Sequence, residues 1–110
     1  MAVVKHNRFD ILLIDLDPTK GSEIQKTRPC VVISPNEMNH HIKTLIVAPM
    51  TSQTKGYPTR VRVRFAEKDG EIVLDQIRTI DQTRIVKKVG TLDKKTAIAV
   101  LETLKDLFAL

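Results

Sequence analysis

A chain of 110 residues makes one domain of ordinary size and leaves no room for a second core. Eighteen Lys and Arg stand against 13 Asp and Glu, a formal charge of +5 that favours an anionic partner without choosing among nucleic acid, an acidic protein and a membrane surface. Trp is absent and the aromatic residues are Phe9, Tyr57, Phe65 and Phe108, too few for recognition dominated by base stacking, and the single cysteine excludes an internal disulfide.

The N-terminal run from Met1 to Arg8 lacks the sustained apolar stretch of a secretory leader, and nowhere is an apolar run long enough to span a bilayer. A soluble, cytoplasmic protein is the expectation, and a reducing compartment suits Cys30. Residues 9–17 form a short apolar run closed by Pro18, predicting a buried first strand. Residues 18–29 carry Pro18, Gly21 and Pro29 among polar residues, the composition of an ordered surface loop, and chemistry is expected there. Residues 30–34 predict a second strand with Cys30 buried in it, 36–41 a short helical turn, and 45–48 a third strand ending at Pro49.

In residues 60–65 the alternation is strict, setting Arg60, Arg62 and Arg64 on one face of a strand and Val61, Val63 and Phe65 on the other. Lys68-Asp69-Gly70 predicts a hairpin turn, with 71–74 as the returning strand. Residues 77–80 and 86–89 predict two more strands. From Asp93, a suitable N-cap, Ala97, Val100, Leu101, Leu104, Leu107 and Phe108 follow the spacing of an amphipathic helix, with Lys94 and Lys95 toward water. Six or seven short strands and one terminal helix predict a mainly β domain, a small and strongly bent sheet or barrel.

Several chemistries are missing. One cysteine and the three histidines His6, His40 and His41 have no zinc-ligand spacing, so neither metal nor other cofactor is expected. The glycines at 21, 56, 70 and 90 are isolated and form no phosphate loop, and there is no nucleophile elbow. His40 and His41 read as solvated surface residues.

Three segments, in order, resemble the MazF/PemK toxin family: Asp10-Ile11 with Leu16-Asp17-Pro18-Thr19; Gly21 through Pro29 leading into Cys30-Val31-Val32-Ile33; and Pro49-Met50-Thr51-Ser52. A fourth, Asp75-Gln76-Ile77-Arg78-Thr79-Ile80-Asp81, completes a match that spans nearly the whole chain. The resemblance implies an SH3-like barrel with a C-terminal helix, a homodimer, and an acidic MazE-like antitoxin occupying the RNA groove. It implies a ribosome-independent endoribonuclease that cuts single-stranded RNA without a metal, leaving 2′,3′-cyclic phosphate and 5′-hydroxyl ends. Phe9, Ser22 and Val73 stand where members of the family carry Gly, His and Arg.

Such cleavage needs a base, an acid and a cationic clamp on the developing charge. Arg28, between the loop and the second strand, is the clamp; its alternative is an ion pair that merely holds the loop. Thr51 is the family-like hydroxyl that orients the scissile phosphate, with Ser52 assisting; otherwise Thr-Ser is an ordinary turn. Glu23 is a base or a neutralising partner for Arg28. Asp75 is the other base, or it ties strands together with Arg78 and Asp81. RNA contacts are expected from Lys20, Ser22, Gln25, Lys26, Thr27, Gln53 and Gln76, and from Arg60 and Arg62 if the arginine row tracks phosphates rather than forming a solvated face. Cut-site preference is expected in residues 52–59. A gyrase-binding toxin of the same fold and a non-catalytic RNA-binding barrel are the alternatives; the ending at Leu110, without the Trp-Gly-Ile of CcdB, speaks against the first.

Overall fold

The computed structural model describes residues 5–110, so the first four residues of the segment read for a leader lie outside it. Seven strands, β1 (Asp10–Asp15), β2 (Thr27–Val32), β3 (Thr44–Thr51), β4 (Arg60–Phe65), β5 (Lys68–Val73), β6 (Arg78–Asp81) and β7 (Ile85–Thr91), are accompanied by a one-turn helix, α1 (Asn36–Asn39), and a long C-terminal helix, α2 (Lys94–Phe108). The strands form one curled antiparallel sheet in the order β4-β5-β3-β2-β1-β7, with β6 beside the first half of β3.

Both faces of the central strands are covered, which is why β1 reads as a continuous apolar run and not an alternating one. On one face Ile11, Val31, Ala48, Met50, Val61, Ile72 and Leu74 pack against Leu92, Ala97 and Val100. On the other, Leu12, Ile14, Leu16, Cys30, Val32, Leu45, Val47 and Ile80 form a second core, closed by Ile24 and Ile85. Burial pushes the Cys30 thiol up to about 12, with Arg78 and Arg28 drawing it weakly the other way, so this cysteine is a small apolar filler.

Several boundaries differ from the sequence expectation. β2 starts at Thr27, taking Arg28 and Pro29 out of the loop and into the sheet, where Ile14 faces Arg28 and Leu13 faces Pro29. Likewise β3 runs past Pro49 to Thr51. Proline is tolerated there because β3 changes partner around it: pairing to β6 ends at Val47, and pairing to β5 begins at Met50. The β4–β5 turn is Ala66-Glu67, with φ of 52° and 63°, and not Lys68-Asp69-Gly70. Gly70 instead lies within β5, where an added Cβ would stand 2.5 Å from the Thr51 carbonyl oxygen.

In α2, Asp93 caps the first turn by accepting the Thr96 N–H at 2.7 Å, and Lys94 and Lys95 are exposed as expected. The inward stripe is narrower than the spacing implied. Ala97 and Val100 are buried and Leu104 packs beside them, whereas Leu101, Leu107 and Phe108 are exposed because the curled sheet touches only one side of the helix.

Candidate active site

Antiparallel pairing of β2 with β3 sets Cys30 level with Pro49 and Val31 with Ala48. Carried two residues further, the same register brings Arg28 level with Thr51, and both line a hollow of about 270 Å³ together with Ser52, Lys68 and Asp69. Arg28 is half-buried, and its Nε donates to the Gln25 carbonyl at 2.7 Å. That single bond fixes the plane of the guanidinium and leaves its four Nη hydrogens without a partner among the described residues. The Thr51 hydroxyl oxygen accepts the Gln53 N–H at 3.1 Å, which leaves its proton available to a ligand. Two donors on adjacent strands therefore face one space.

Gly70 makes this closeness possible, because only a residue without a side chain lets β5 pass so near the Thr51 carbonyl. Lys68 and Asp69, absent from the expected site, belong to this hollow as strand residues. The signal that locates them is the two-residue turn just before them, and Ala-Glu is not a composition that announces positive φ.

A second hollow of about 500 Å³ is lined by Ser22, Glu23, Pro49, Asp75, Gln76 and Arg78. Gln76 fastens the β1–β2 loop over it, accepting the Ile24 N–H at 2.8 Å and donating to the Ser22 carbonyl at 3.3 Å. Arg28 connects the two spaces, since it lines the first and is held by the loop that lines the second.

The two candidate bases differ in their engagement. Glu23 accepts the Lys20 N–H at 2.6 Å through Oε1, and its Oε2 has no partner among the described residues; the expected pairing with Arg28 does not form. Asp75 is fully engaged, receiving Arg60 Nε at 3.1 Å, Arg60 Nη2 at 3.3 Å and the Thr59 hydroxyl at 2.9 Å. Burial would raise its carboxyl, but the Arg60 and Thr59 hydrogen bonds prevail and hold it below the usual range, which makes it a weak base. The expected tie from Asp75 to Arg78 and Asp81 is replaced by this one. Arg78 donates to the Leu16 carbonyl at 3.0 Å, and Asp81 caps the turn at Thr83.

The arginine row is not a uniform cationic track. Arg60 is half-buried, bound to Asp75 and 3.6 Å from Glu71, and Arg64 pairs with Asp69 at 3.0 Å. Arg62 is exposed and has no partner among the described residues. Lys20, Lys26 and Thr27 are exposed around the loop, and Gln53 follows Thr51 at the surface. His40 is tied to the Asn7 side chain, 33 residues away in sequence, and His41 to the Glu37 carbonyl within its own turn.

A family model described as the PemK-like, MazF-like toxin of type II toxin-antitoxin systems matches residues 7–108. The chain belongs to this family. It is 41% identical over 83 residues to the endoribonuclease toxin MazF of Escherichia coli K12, covering 74% of this chain and 75% of that one. It is 38% identical over 109 residues to endoribonuclease EndoA of Bacillus subtilis 168, covering 94% of each. In fold it matches the crystal structure of MazF from Deinococcus radiodurans, with a TM-score of 0.85 at 23% identity over 98% of this chain and 100% of that one. A chain of the MazE-MazF crystal structure (Form-II) from the same organism superposes with a TM-score of 0.78 at 20% identity, covering 98% of this chain and 99% of that one. The MazF-like fold is therefore a curled antiparallel sheet carrying one long C-terminal helix, with Arg28 and Thr51 on adjacent central strands.

Proposed function

We propose that this MazF-like toxin is an endoribonuclease that cuts single-stranded RNA at the Arg28–Thr51 hollow, by attack of a 2′-hydroxyl on the adjacent phosphorus and without a metal ion. The observation that carries the reading is the pair of unspent donors, the Nη edge of Arg28 and the proton of the Thr51 hydroxyl, lining one space. Both suit phosphoryl oxygens, and a guanidinium clamp gains most as charge builds in the transition state.

Glu23, which lines the second hollow on the other side of Arg28, is the base in this reading, because one of its carboxylate oxygens is unengaged whereas both oxygens of Asp75 accept hydrogen bonds. It takes the 2′-hydroxyl proton as the O2′–P bond forms. The P–O5′ bond breaks and the leaving 5′ oxygen takes up a proton from solvent, giving a 2′,3′-cyclic phosphate and a 5′-hydroxyl. Ser22, Gln25, Ser52 and Arg62 add contacts along the strand, and residues 52–59 carry the cut-site preference. An acidic antitoxin competing for the same groove fits the net charge of +5. A homodimer fits the exposed Ile98, Leu101 and Phe108 along α2.

Incubation of the protein alone with a long RNA in excess chelator, followed by end analysis, tests this. Cyclic phosphate and 5′-hydroxyl ends are expected, and a 2′-deoxy substitution at the cut nucleotide abolishes cleavage there. Products with 5′-phosphate, or equal cleavage of the deoxy substrate, refute the mechanism.

A further inference from the structure

The loop after Thr51 carries a feature that the donor pair does not use. Gly56 adopts φ of +70°, and the N–H groups of Lys55 and Gly56 both donate to the carboxylate of Glu71, at 2.9 and 2.8 Å. Glu71 is 1% exposed and stands level with Thr51 in the β3–β5 pairing, so the loop is anchored beside that hydroxyl. Tyr57 then opens a turn that Pro58 shapes and that closes with the Arg60 N–H on the Tyr57 carbonyl at 3.0 Å. The turn brings the Arg60 guanidinium over the Tyr57 ring, 4.7 Å from its centre. Arg60 is itself held by Asp75 and Glu71.

The ring is thus braced on one face by an immobilised cation, yet is 50% exposed. A half-exposed aromatic ring already held against a fixed neighbour is a stacking platform that loses little entropy on binding. The guanidinium beneath it repels a second cation and leaves a neutral planar ring as the occupant. We infer that Tyr57 is a specificity-determining residue, on which the nucleobase neighbouring the scissile phosphate stacks. The inference rests on Thr51 meeting that phosphate. It is also compatible with the low aromatic content, because one platform reads one base and does not dominate affinity.

Tyr57 is the sole tyrosine in a chain without tryptophan, so intrinsic emission reports on this ring alone. The probes are RNA oligonucleotides made uncleavable by a 2′-deoxy sugar at the mapped cut, with 2-aminopurine at successive flanking positions. On saturation, judged by anisotropy of end-labelled RNA, tyrosine emission of the unaltered protein falls and 2-aminopurine is quenched at one position beside the cut. Tyr57→Phe keeps the 2-aminopurine quench. Tyr57→Leu loses it and raises KM for intact RNA about tenfold, the typical worth of one stacked base, with kcat within about twofold. Unchanged tyrosine emission at saturation overturns the inference, as does wild-type KM in Tyr57→Leu or an equal loss in Tyr57→Phe. Failure of the parent reading looks different: the unaltered protein then leaves intact RNA uncut, and its tyrosine emission titrated with that same uncut RNA still tests the platform.

Discussion

Arg28 has one of its five N–H donors committed to the Gln25 carbonyl, which aims the rest of the guanidinium without neutralising it. Replacing it with Ala is expected to lower kcat by about 10²- to 10³-fold with RNA affinity nearly kept, because a clamp on developing charge acts mainly in the transition state. Arg28→Lys restores only a fraction, since an ammonium lacks the planar fork. Single-turnover cleavage beside filter binding measures both, and unimpaired cleavage by Arg28→Ala refutes the assignment. Phe9 illustrates the opposite kind of residue. It sits at φ of 74°, a conformation natural to glycine, and its ring packs on the edge of the core. Phe9→Gly and Phe9→Ala both lose that packing, but only Ala keeps the strain. The Gly variant is expected to be the more stable of the two by about 0.5–1 kcal/mol in urea unfolding.

At the scale of elements, the site depends on how closely β5 lies against the end of β3. A methyl group at Gly70 meets the Thr51 carbonyl oxygen at 2.5 Å, a backbone atom that cannot turn aside, so the strands must separate. At Gly90 the nearest atom is Phe65 Cε1 at 3.3 Å, and a side chain can turn aside. Gly70→Ala is therefore expected to destabilise by roughly 1–3 kcal/mol and to reduce cleavage, while Gly90→Ala does less of both. Denaturant midpoints and initial cleavage rates for the two variants decide it, and equal effects contradict the close-approach account.

The whole molecule is expected to weaken in acid. Glu71 is held below its ordinary value: burial would raise it, but the Lys55 and Gly56 N–H groups and Arg60 outweigh that. Asp75 is depressed in the same sense, Asp81 and Asp93 by hydrogen bonds at Thr83 and Thr96. For carboxyls lowered on folding, the stabilisation is fully present above the unfolded values, near pH 4, and drains away as the pH falls through the folded ones. Urea midpoints should therefore decline below about pH 4, with a flatter decline in Glu71→Gln; an identical acid limb in that variant contradicts the role given to Glu71. The exposed Ile98, Leu101 and Phe108 supply the other test at this scale. Phe108→Glu is expected to convert the proposed dimer to monomer in sedimentation equilibrium, and an unchanged mass counts against α2 as the contact.

Local pattern determined much of this protein: the apolar run of β1, the alternation of β4, the Asp93 cap and the ordered motifs from Asp10 to Asp81 are properties of neighbouring residues, and they carried the β class, the terminal helix and the family. Only the tertiary structure decided which groups remain free to act. It drew Arg28 into β2, extended β3 beyond Pro49 to Thr51, gave Gly70 to a strand contact, and bound Asp75 to Arg60 and not to Arg78. The physical reason is that a hydrogen-bond donor or a carboxylate acts on a ligand only if no part of its own chain has already engaged it, and Asp75 finds its partner Arg60 15 residues away in sequence while Gln76 meets Ile24 52 residues away.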